Sequence, residues 1–160
     1  MEIRGKKVLV VGLARSGLAA VHWLSDHGAV VTVTDLRAPS SFSKEIPELL
    51  HRKVGLELGL HQESTFLRQD LIVVSPGVPA DLPVLDQARQ QGVPVVPEIE
   101  VAGWFLEGRL AGITGTNGKT TTTALLGKML EASGFATFVG GNIGVPLLSA
   151  VDRDPPASMV

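Results

Sequence analysis

A glycine-rich stretch near the middle of the chain carries residue types that bind the phosphates of a nucleotide. The stretch Gly112-Ile113-Thr114-Gly115-Thr116-Asn117-Gly118-Lys119-Thr120 joins an apolar run to a helix-like segment. Its glycines let successive backbone amides face a phosphate chain, Lys119 can neutralise the β- and γ-phosphates, and the Thr120 hydroxyl can ligate Mg²⁺. The strict G-x-x-x-x-G-K-[ST] pattern is not met, because Ile113 holds the place of the first glycine. The alternative is a chance Gly-Lys-Thr turn.

A second candidate phosphate site lies near the N-terminus, in Gly12-Leu13-Ala14-Arg15-Ser16-Gly17. Gly12 and Gly17 stand where G-x-G-x-x-G places its first and third glycines, but Ala14 holds the middle position, where a phosphate approaches closely. The amides of Arg15 and Ser16 would still point from a helix N-terminus toward an anion. The alternative is a structural turn that binds nothing.

Polar residues follow the ends of other predicted strands. Asp35 suits a ribose or base hydroxyl, and Arg37 adds a fork of donors beside it. The segment Ser75-Pro76-Gly77 ends another strand and is either a turn or a contact. Asn142, within a glycine-rich turn, is likewise either a left-handed turn residue or a ligand contact.

The histidines give no metal site, because none has ligand spacing with carboxylates. We expect solvated positions for all of them: His22, His27, His51 and His61.

These sites require an alternating order of strands and helices. Buried-type strands are predicted at 8–11, 30–34 and 70–74, a weaker strand at 54–60 and an edge strand at 93–96, with helices at 16–27, 45–53 and 83–91. Such alternation predicts an open, mostly parallel α/β sheet, whose ligands bind beyond the carboxyl ends of the strands.

A second unit should begin after Pro97. We predict a helix at 98–106, a strand at 109–114 feeding the phosphate loop, a helix at 119–133 and a strand at 136–139. The predicted division is therefore 1–97 and 98–160.

Composition excludes several classes of site. The chain has 160 residues, a formal net charge of -2 and no cysteine. There is no electrostatic reason to expect a nucleic-acid or anionic-membrane partner, and no disulfide, thiolate zinc site or cysteine nucleophile can form. A cytoplasmic location is the default expectation.

These pieces resemble the Mur ligases of bacterial cell-wall synthesis, most closely the members that add D-glutamate. The phosphate loop is shared with other Mur ligases and folylpolyglutamate synthases, whereas the Rossmann-like start and the Asp-x-Arg segment point to the D-glutamate-adding members. The resemblance implies a Rossmann-like parallel-sheet domain followed by the start of a P-loop α/β ATPase domain. The matching segments, in family order, are Gly12–Gly17, Thr34–Arg37, Ser75–Gly77, Gly112–Thr120 and Gly141–Pro146.

The resemblance also implies the site residues. Lys119 and Thr120 would be catalytic, Thr120 would hold Mg²⁺, and Leu36 stands where some relatives have threonine. UDP-substrate contacts would come from Arg15, Ser16, Asp35, Arg37, Ser75, Pro76, Gly77 and Asn142. ATP contacts would come from Gly115, Thr116, Asn117, Gly118, Lys119, Thr120 and Thr121.

The implied reaction joins D-glutamate to UDP-N-acetylmuramoyl-L-alanine at the expense of ATP. The substrate carboxylate attacks the γ-phosphate, and the amine of D-glutamate opens the resulting acyl phosphate. The implied partners are these two small molecules, with no nucleic acid and no membrane. The family's later acidic metal ligand, modified lysine and C-terminal domain have no counterpart before Val160. We therefore expect a truncated chain that binds the UDP substrate without completing ligation.

Two other functions compete with this interpretation. Gly12, Gly17 and Asp35 also suit an NAD-binding Rossmann oxidoreductase, although Ala14 and the second phosphate loop oppose it. The short length suits a non-catalytic module that binds a UDP-sugar or another nucleotide.

Overall fold

The computed structural model describes residues 2–141 and 144–153. The chain divides into two compact units, Met1–Glu98 and Ile99–Val160. Each unit is described by itself below.

The first unit is built on a parallel sheet of five strands in the order β3-β2-β1-β4-β5. Its strands are β1 (Lys7–Val11), β2 (Val30–Asp35), β3 (Gly55–Leu58), β4 (Leu71–Val74) and β5 (Val95–Pro97). The central pairs run in register from Val8 against Val31 and Leu71 to Val11 against Thr34 and Val74. Such apolar runs form central strands because both of their faces are covered.

Helices cover the sheet and connect its strands. They are α1 (Arg15–Asp26), α2 (Ile46–His51), α3 (Glu63–Phe66) and α4 (Pro83–Gln90), with a 3₁₀ turn at Pro39–Phe42. Because side chains alternate along a strand, Leu9 and Val11 share one face of β1, where they join a buried cluster with Phe66, Ile72 and Leu85.

The order of the strands in the sheet creates a topological switch point at the carboxyl end of β1. From β1 the chain moves to β2 on one side, and later returns to place β4 on the other. Loops that leave β1 and β4 therefore diverge at the carboxyl edge, which is where open α/β sheets bind ligands. The predicted α/β class with a Rossmann-like first unit is confirmed.

In the second unit, the structure contains α5 (Glu98–Phe105), α6 (Lys119–Ala132) and a 3₁₀ turn at Leu147–Ala150. The predicted strands at 109–114 and 136–139 are wrong: only single bridge residues occur, at Arg109 and Thr137. Strands need hydrogen-bonded neighbours on a sheet, and two short segments alone are marginal. Leu110 is accordingly 56% exposed.

Candidate functional site

The first βα turn requires glycine at two positions. Gly12 has φ +89°, and a Cβ there would lie 2.9 Å from Cγ2 of Val78. At Gly17 a Cβ would lie 1.8 Å from the carbonyl oxygen of Gly12, inside any permitted contact. Gly12 therefore makes the tight turn, and Gly17 lets helix α1 pack directly on it, as in dinucleotide-binding turns.

Helix α1 begins at this turn and directs its N-terminus toward the carboxyl edge. Ala14 is its N-cap, with an extended backbone, and the first helical bond runs from the Leu18 amide to the Ala14 carbonyl at 2.8 Å. The amides of Ser16 and Gly17 thus precede the first intrahelical acceptor and face an incoming anion. Ser16 is half-buried, and Arg15 is exposed.

Asp35 connects the end of β2 to the same turn. The Leu13 amide donates to Asp35 Oδ2 at 2.8 Å, while the Gly12 amide donates to the Thr34 carbonyl at 2.8 Å. Arg37 donates to both carboxylate oxygens, from Nε at 3.0 Å and from Nη2 at 2.8 Å. Burial opposes ionisation of Asp35, but the bonds from Arg37 and Leu13 outweigh it and lower its pKa to about 2.

Ser75 braces the turn from the end of β4. Its hydroxyl donates to the Gly12 carbonyl at 2.8 Å, and its side chain is buried. Pro76 and Gly77 are exposed at the same edge. The predicted residues of the first unit thus lie at the carboxyl ends of three adjacent strands, β2, β1 and β4.

No local sequence pattern indicated a hydrogen bond that lies beside this site. The buried Thr34 hydroxyl and His61 Nδ1 share a hydrogen bond of 2.7 Å, and the His61 ring meets Phe66 edge-on at 5.6 Å. Burial lowers the pKa of His61, although Asp35 and Glu57 oppose that shift. The contact joins residues far apart in the chain, so local patterns could not reveal it.

The expectation of solvated histidines is wrong for three of the four. His61 is half-buried against Thr34. The His27 ring stacks on the Trp23 ring with centroids 4.0 Å apart, and His22 Nε2 lies 3.3 Å from Glu48 Oε1. Only His51 is exposed. Among residues 2–141 and 144–153, no group of three or more His, Cys, Asp or Glu could hold a metal ion.

The phosphate loop of the second unit ends at the N-terminus of α6. Gly115 has φ +144° and Gly118, the N-cap of α6, has φ +76°. Both conformations favour glycine, because an L side chain would be strained there. The first helical bond runs from the Thr122 amide to the Gly118 carbonyl at 2.9 Å, so the amides of Lys119, Thr120 and Thr121 precede any intrahelical acceptor.

The side chains of this loop fit a nucleoside triphosphate with Mg²⁺. Lys119 Nζ folds back to the carbonyls of Gly115 and Thr116, at 2.5 and 3.4 Å, which holds the ammonium over the loop. Thr123 donates to the Lys119 carbonyl at 2.8 Å. The Thr120 hydroxyl makes no hydrogen bond within the part of the chain that the structure describes, which suits a group that would ligate a cation.

The remaining predicted contact, Asn142, lies outside the described residues. The nearest described glycines have positive φ, +117° at Gly141 and +80° at Gly144. The Gly141 amide donates to the Val145 carbonyl at 2.8 Å.

The geometry defines a class of protein: a Rossmann-like unit followed along the chain by a glycine-rich loop on a helix N-terminus. Two protein-family models match the sequence of this chain. The Mur ligase MurD-like N-terminal domain matches residues 6–97, and the Mur ligase middle domain matches residues 113–155. The chain belongs to the Mur ligase family, and the resemblance drawn from its motifs is confirmed.

Named relatives agree with the family models. The chain is 54% identical over 149 residues to UDP-N-acetylmuramoylalanine--D-glutamate ligase of Koribacter versatilis, covering 93% of this chain and 33% of the relative. It is 50% identical over 160 residues to the ligase of the same name from Citrifermentans bemidjiense, covering 100% of this chain and 35% of the relative. The chain thus spans about a third of the length of these relatives.

A solved structure shares the fold. The pseudomurein peptide ligase type C of Methanothermus fervidus superposes with a TM-score of 0.56 at 27% identity, covering 97% of this chain and 32% of that one. Among the described residues, no helix is long and apolar enough to cross a membrane.

Proposed function

We propose that this chain supplies the UDP-substrate site and the phosphate loop of an ATP-dependent ligase of peptidoglycan precursor synthesis. The ligase would join D-glutamate to UDP-N-acetylmuramoyl-L-alanine. The proposal assigns substrate binding to residues 1–97 and the beginning of an ATP-binding domain to residues 98–160. A cytoplasmic location belongs to the same proposal, because ATP-consuming synthesis takes place there.

One observation carries the proposal: residues at the ends of three adjacent strands meet at a single edge of the sheet. The turn at Gly12, the Asp35–Arg37 pair and Ser75 are joined by hydrogen bonds of 2.8 Å from Leu13 to Asp35 and from Ser75 to Gly12. The N-terminus of α1 adds backbone amides there that precede its first intrahelical acceptor. A diphosphate at the helix, with its nucleoside toward Arg37, suits this arrangement.

The second unit would bind ATP with Mg²⁺. ATP supplies the phosphoryl group that activates the substrate carboxylate for amide formation. Lys119, held over the loop by the carbonyls of Gly115 and Thr116, would swing onto phosphate oxygens and neutralise their charge. The amides at the start of α6 would donate to the phosphates, and Thr120 would offer its hydroxyl to the metal.

The hydrogen bonds to the Asp35 carboxylate bear on the competing hypothesis of an NAD site. An NAD site needs the carboxylate at this position to accept from the ribose hydroxyls. Here the carboxylate already accepts from the Leu13 amide and from the amide and guanidinium of Arg37. NAD binding would have to displace these donors, whereas a nucleoside placed against Arg37 would leave them intact.

Calorimetric titration of the chain separates these functions. We expect saturable heat with UDP-N-acetylmuramoyl-L-alanine and none with NAD. Binding of NAD combined with indifference to the UDP substrate would overturn the proposal in favour of an oxidoreductase module.

The ATP assignment has its own test in Lys119→Ala. Loss of the charge at the loop should weaken ATP-Mg²⁺ binding by at least about tenfold, while UDP-substrate binding stays unchanged. Lys128→Ala is the matched control, because Lys128 lies on the same helix α6 with its side chain 80% exposed. Equal ATP affinity in both variants would contradict the role given to Lys119.

A further inference from the structure

The guanidinium of Arg37 is fixed on two sides before any ligand arrives. Its edge is held by Asp35, through Nε and Nη2, at 3.0 and 2.8 Å. One of its faces lies on the ring of Phe42, with Cζ at 4.5 Å from the ring centroid. Phe42 is 3% exposed, whereas the Arg37 side chain is 53% exposed. The exposed part is therefore the face opposite Phe42.

Phe42 reaches this position through a tight local fold. Pro39 begins the 3₁₀ turn that ends at Phe42, and its fixed φ suits the first position of such a turn. The Ser41 amide donates to the Ala38 carbonyl at 2.9 Å, and the Glu45 amide donates to the Phe42 carbonyl at 3.1 Å. These bonds reverse the chain just after Arg37 and bring the aromatic ring back beneath it.

The Asp35 carboxylate has little capacity left for a ligand. Oδ2 accepts from the Leu13 amide and from Arg37 Nη2, and Oδ1 accepts from the amide and Nε of Arg37. A carboxylate offers about four acceptor positions, and these donors occupy them. Asp35 thus acts on Arg37 and on the turn, whereas the free guanidinium face is the part that a ligand can meet.

We propose that Phe42 is a positioning residue of the nucleotide site: with Asp35 it holds Arg37 flat, so that the outer guanidinium face stacks on the planar base of the bound nucleoside diphosphate. This inference rests on the proposed function and deepens it. Guanidinium planes stack well on flat π-systems. An arginine that is already ordered loses less side-chain entropy on binding than a free one.

The first test uses the unaltered protein and the Nε–Hε resonance of Arg37 in an NMR spectrum. Bonding to Asp35 should slow its exchange with water, and the Phe42 ring should shift it upfield. Addition of UDP should move the resonance further, whereas inorganic pyrophosphate, which lacks a base, should leave it in place. A resonance that moves equally with both ligands, or with neither while UDP binds, overturns the inference.

The second test compares Phe42→Leu with Phe42→Tyr by calorimetry. Leucine keeps an apolar side chain but removes the ring, so UDP affinity should fall by about tenfold, the scale of one lost cation–π support. Tyrosine keeps the ring face and should restore affinity to within about threefold. Pyrophosphate affinity should be equal in both variants, which a general loss of structure would not produce.

The two proposals fail in different ways. If the unaltered chain does not bind UDP, the proposed function is wrong. If it binds UDP and Phe42→Leu binds equally well, the positioning role of Phe42 is wrong and the proposed function stands. A Phe42→Leu variant with a lowered unfolding midpoint is judged by the Arg37 resonance in the unaltered protein.

Discussion

At the scale of single residues, Asp35 links charge to stability. It is 7% exposed, yet it remains ionised because Arg37 and the Leu13 amide donate to it. Its pKa is about 2, below the ordinary value of 3.8 for an aspartate. A carboxyl whose pKa is depressed by folding stabilises the fold above its unfolded pKa, and that contribution is lost as pH falls through the folded pKa.

We therefore expect Asp35→Asn to lower the free energy of unfolding by about 2 kcal/mol at pH 7. The difference from the parent should shrink between pH 4 and pH 2, where the parent carboxyl gains its proton. Urea unfolding at pH 4 and at pH 2 measures how far this difference in unfolding free energy shrinks. Asp81→Asn, at an exposed position, is the control and should track the parent throughout. A difference for Asp35→Asn that does not change with pH would contradict the assigned charge state.

At the scale of elements, helix α1 packs directly on the turn that follows β1. Gly17, in the first turn of α1, lies against the carbonyl of Gly12, where the oxygen would be 1.8 Å from an added methyl group. The hydroxyl of Ser75 would be 2.7 Å from the same methyl group. The Gly12 backbone and the Ser75 side chain would both have to move to make room for this methyl group. The helix and the turn would therefore have to separate.

Gly17→Ala should accordingly destabilise the first unit by about 2–3 kcal/mol, the range of overpacked cores. It should also abolish UDP binding, because the amides of α1 would no longer face the turn. Thermal unfolding and calorimetry measure the two effects. Gly103→Ala provides the control, since a Cβ at this helical position meets no atom within 4 Å. Similar unfolding midpoints for the two variants would show that the Gly12–Gly17 contact is not constrained as described.

Elements with strong local patterns were predictable from the sequence. Apolar runs gave β1, β2 and β4, and helical periodicity with a terminal glycine gave α1 and α4. The absence of a strand at 109–114 was not predictable, because an apolar run becomes a strand only where neighbours pair with it. The contact of Phe42 with Arg37 and that of His61 with Thr34 were not predicted either. Both are contacts made by tertiary folding rather than by residue type or spacing.

At the scale of the whole molecule, the two units differ in how their backbones are bonded. Val8–Val11 lies between two hydrogen-bonded neighbours, β2 and β4. The segment 110–115, which leads into the phosphate loop, belongs to no helix or strand. Backbone amides in central strands exchange only through large openings, whereas exposed, unpaired amides exchange readily.

Hydrogen–deuterium exchange should reveal this difference. In the unliganded chain, amides at 110–115 should exchange at least about 100-fold faster than those of Val8–Val11. Helix α6 should be protected to an intermediate degree, because its bonds are local. Protection of 110–115 equal to that of β1 would contradict the unpaired backbone described for this segment.

The central claim is that the carboxyl edge of the first unit binds a uridine diphosphate substrate. Amide chemical shifts of the labelled chain, recorded during titration with UDP-N-acetylmuramoyl-L-alanine, test it most directly. The account predicts the largest changes at Leu13–Gly17, at Leu36 and Arg37, and at Ser75 and Gly77, with little change at 115–121. Changes absent from these positions, or confined to the ion pairs of Arg52 with Asp26 and Glu48 at the C-terminal end of α1, would contradict it.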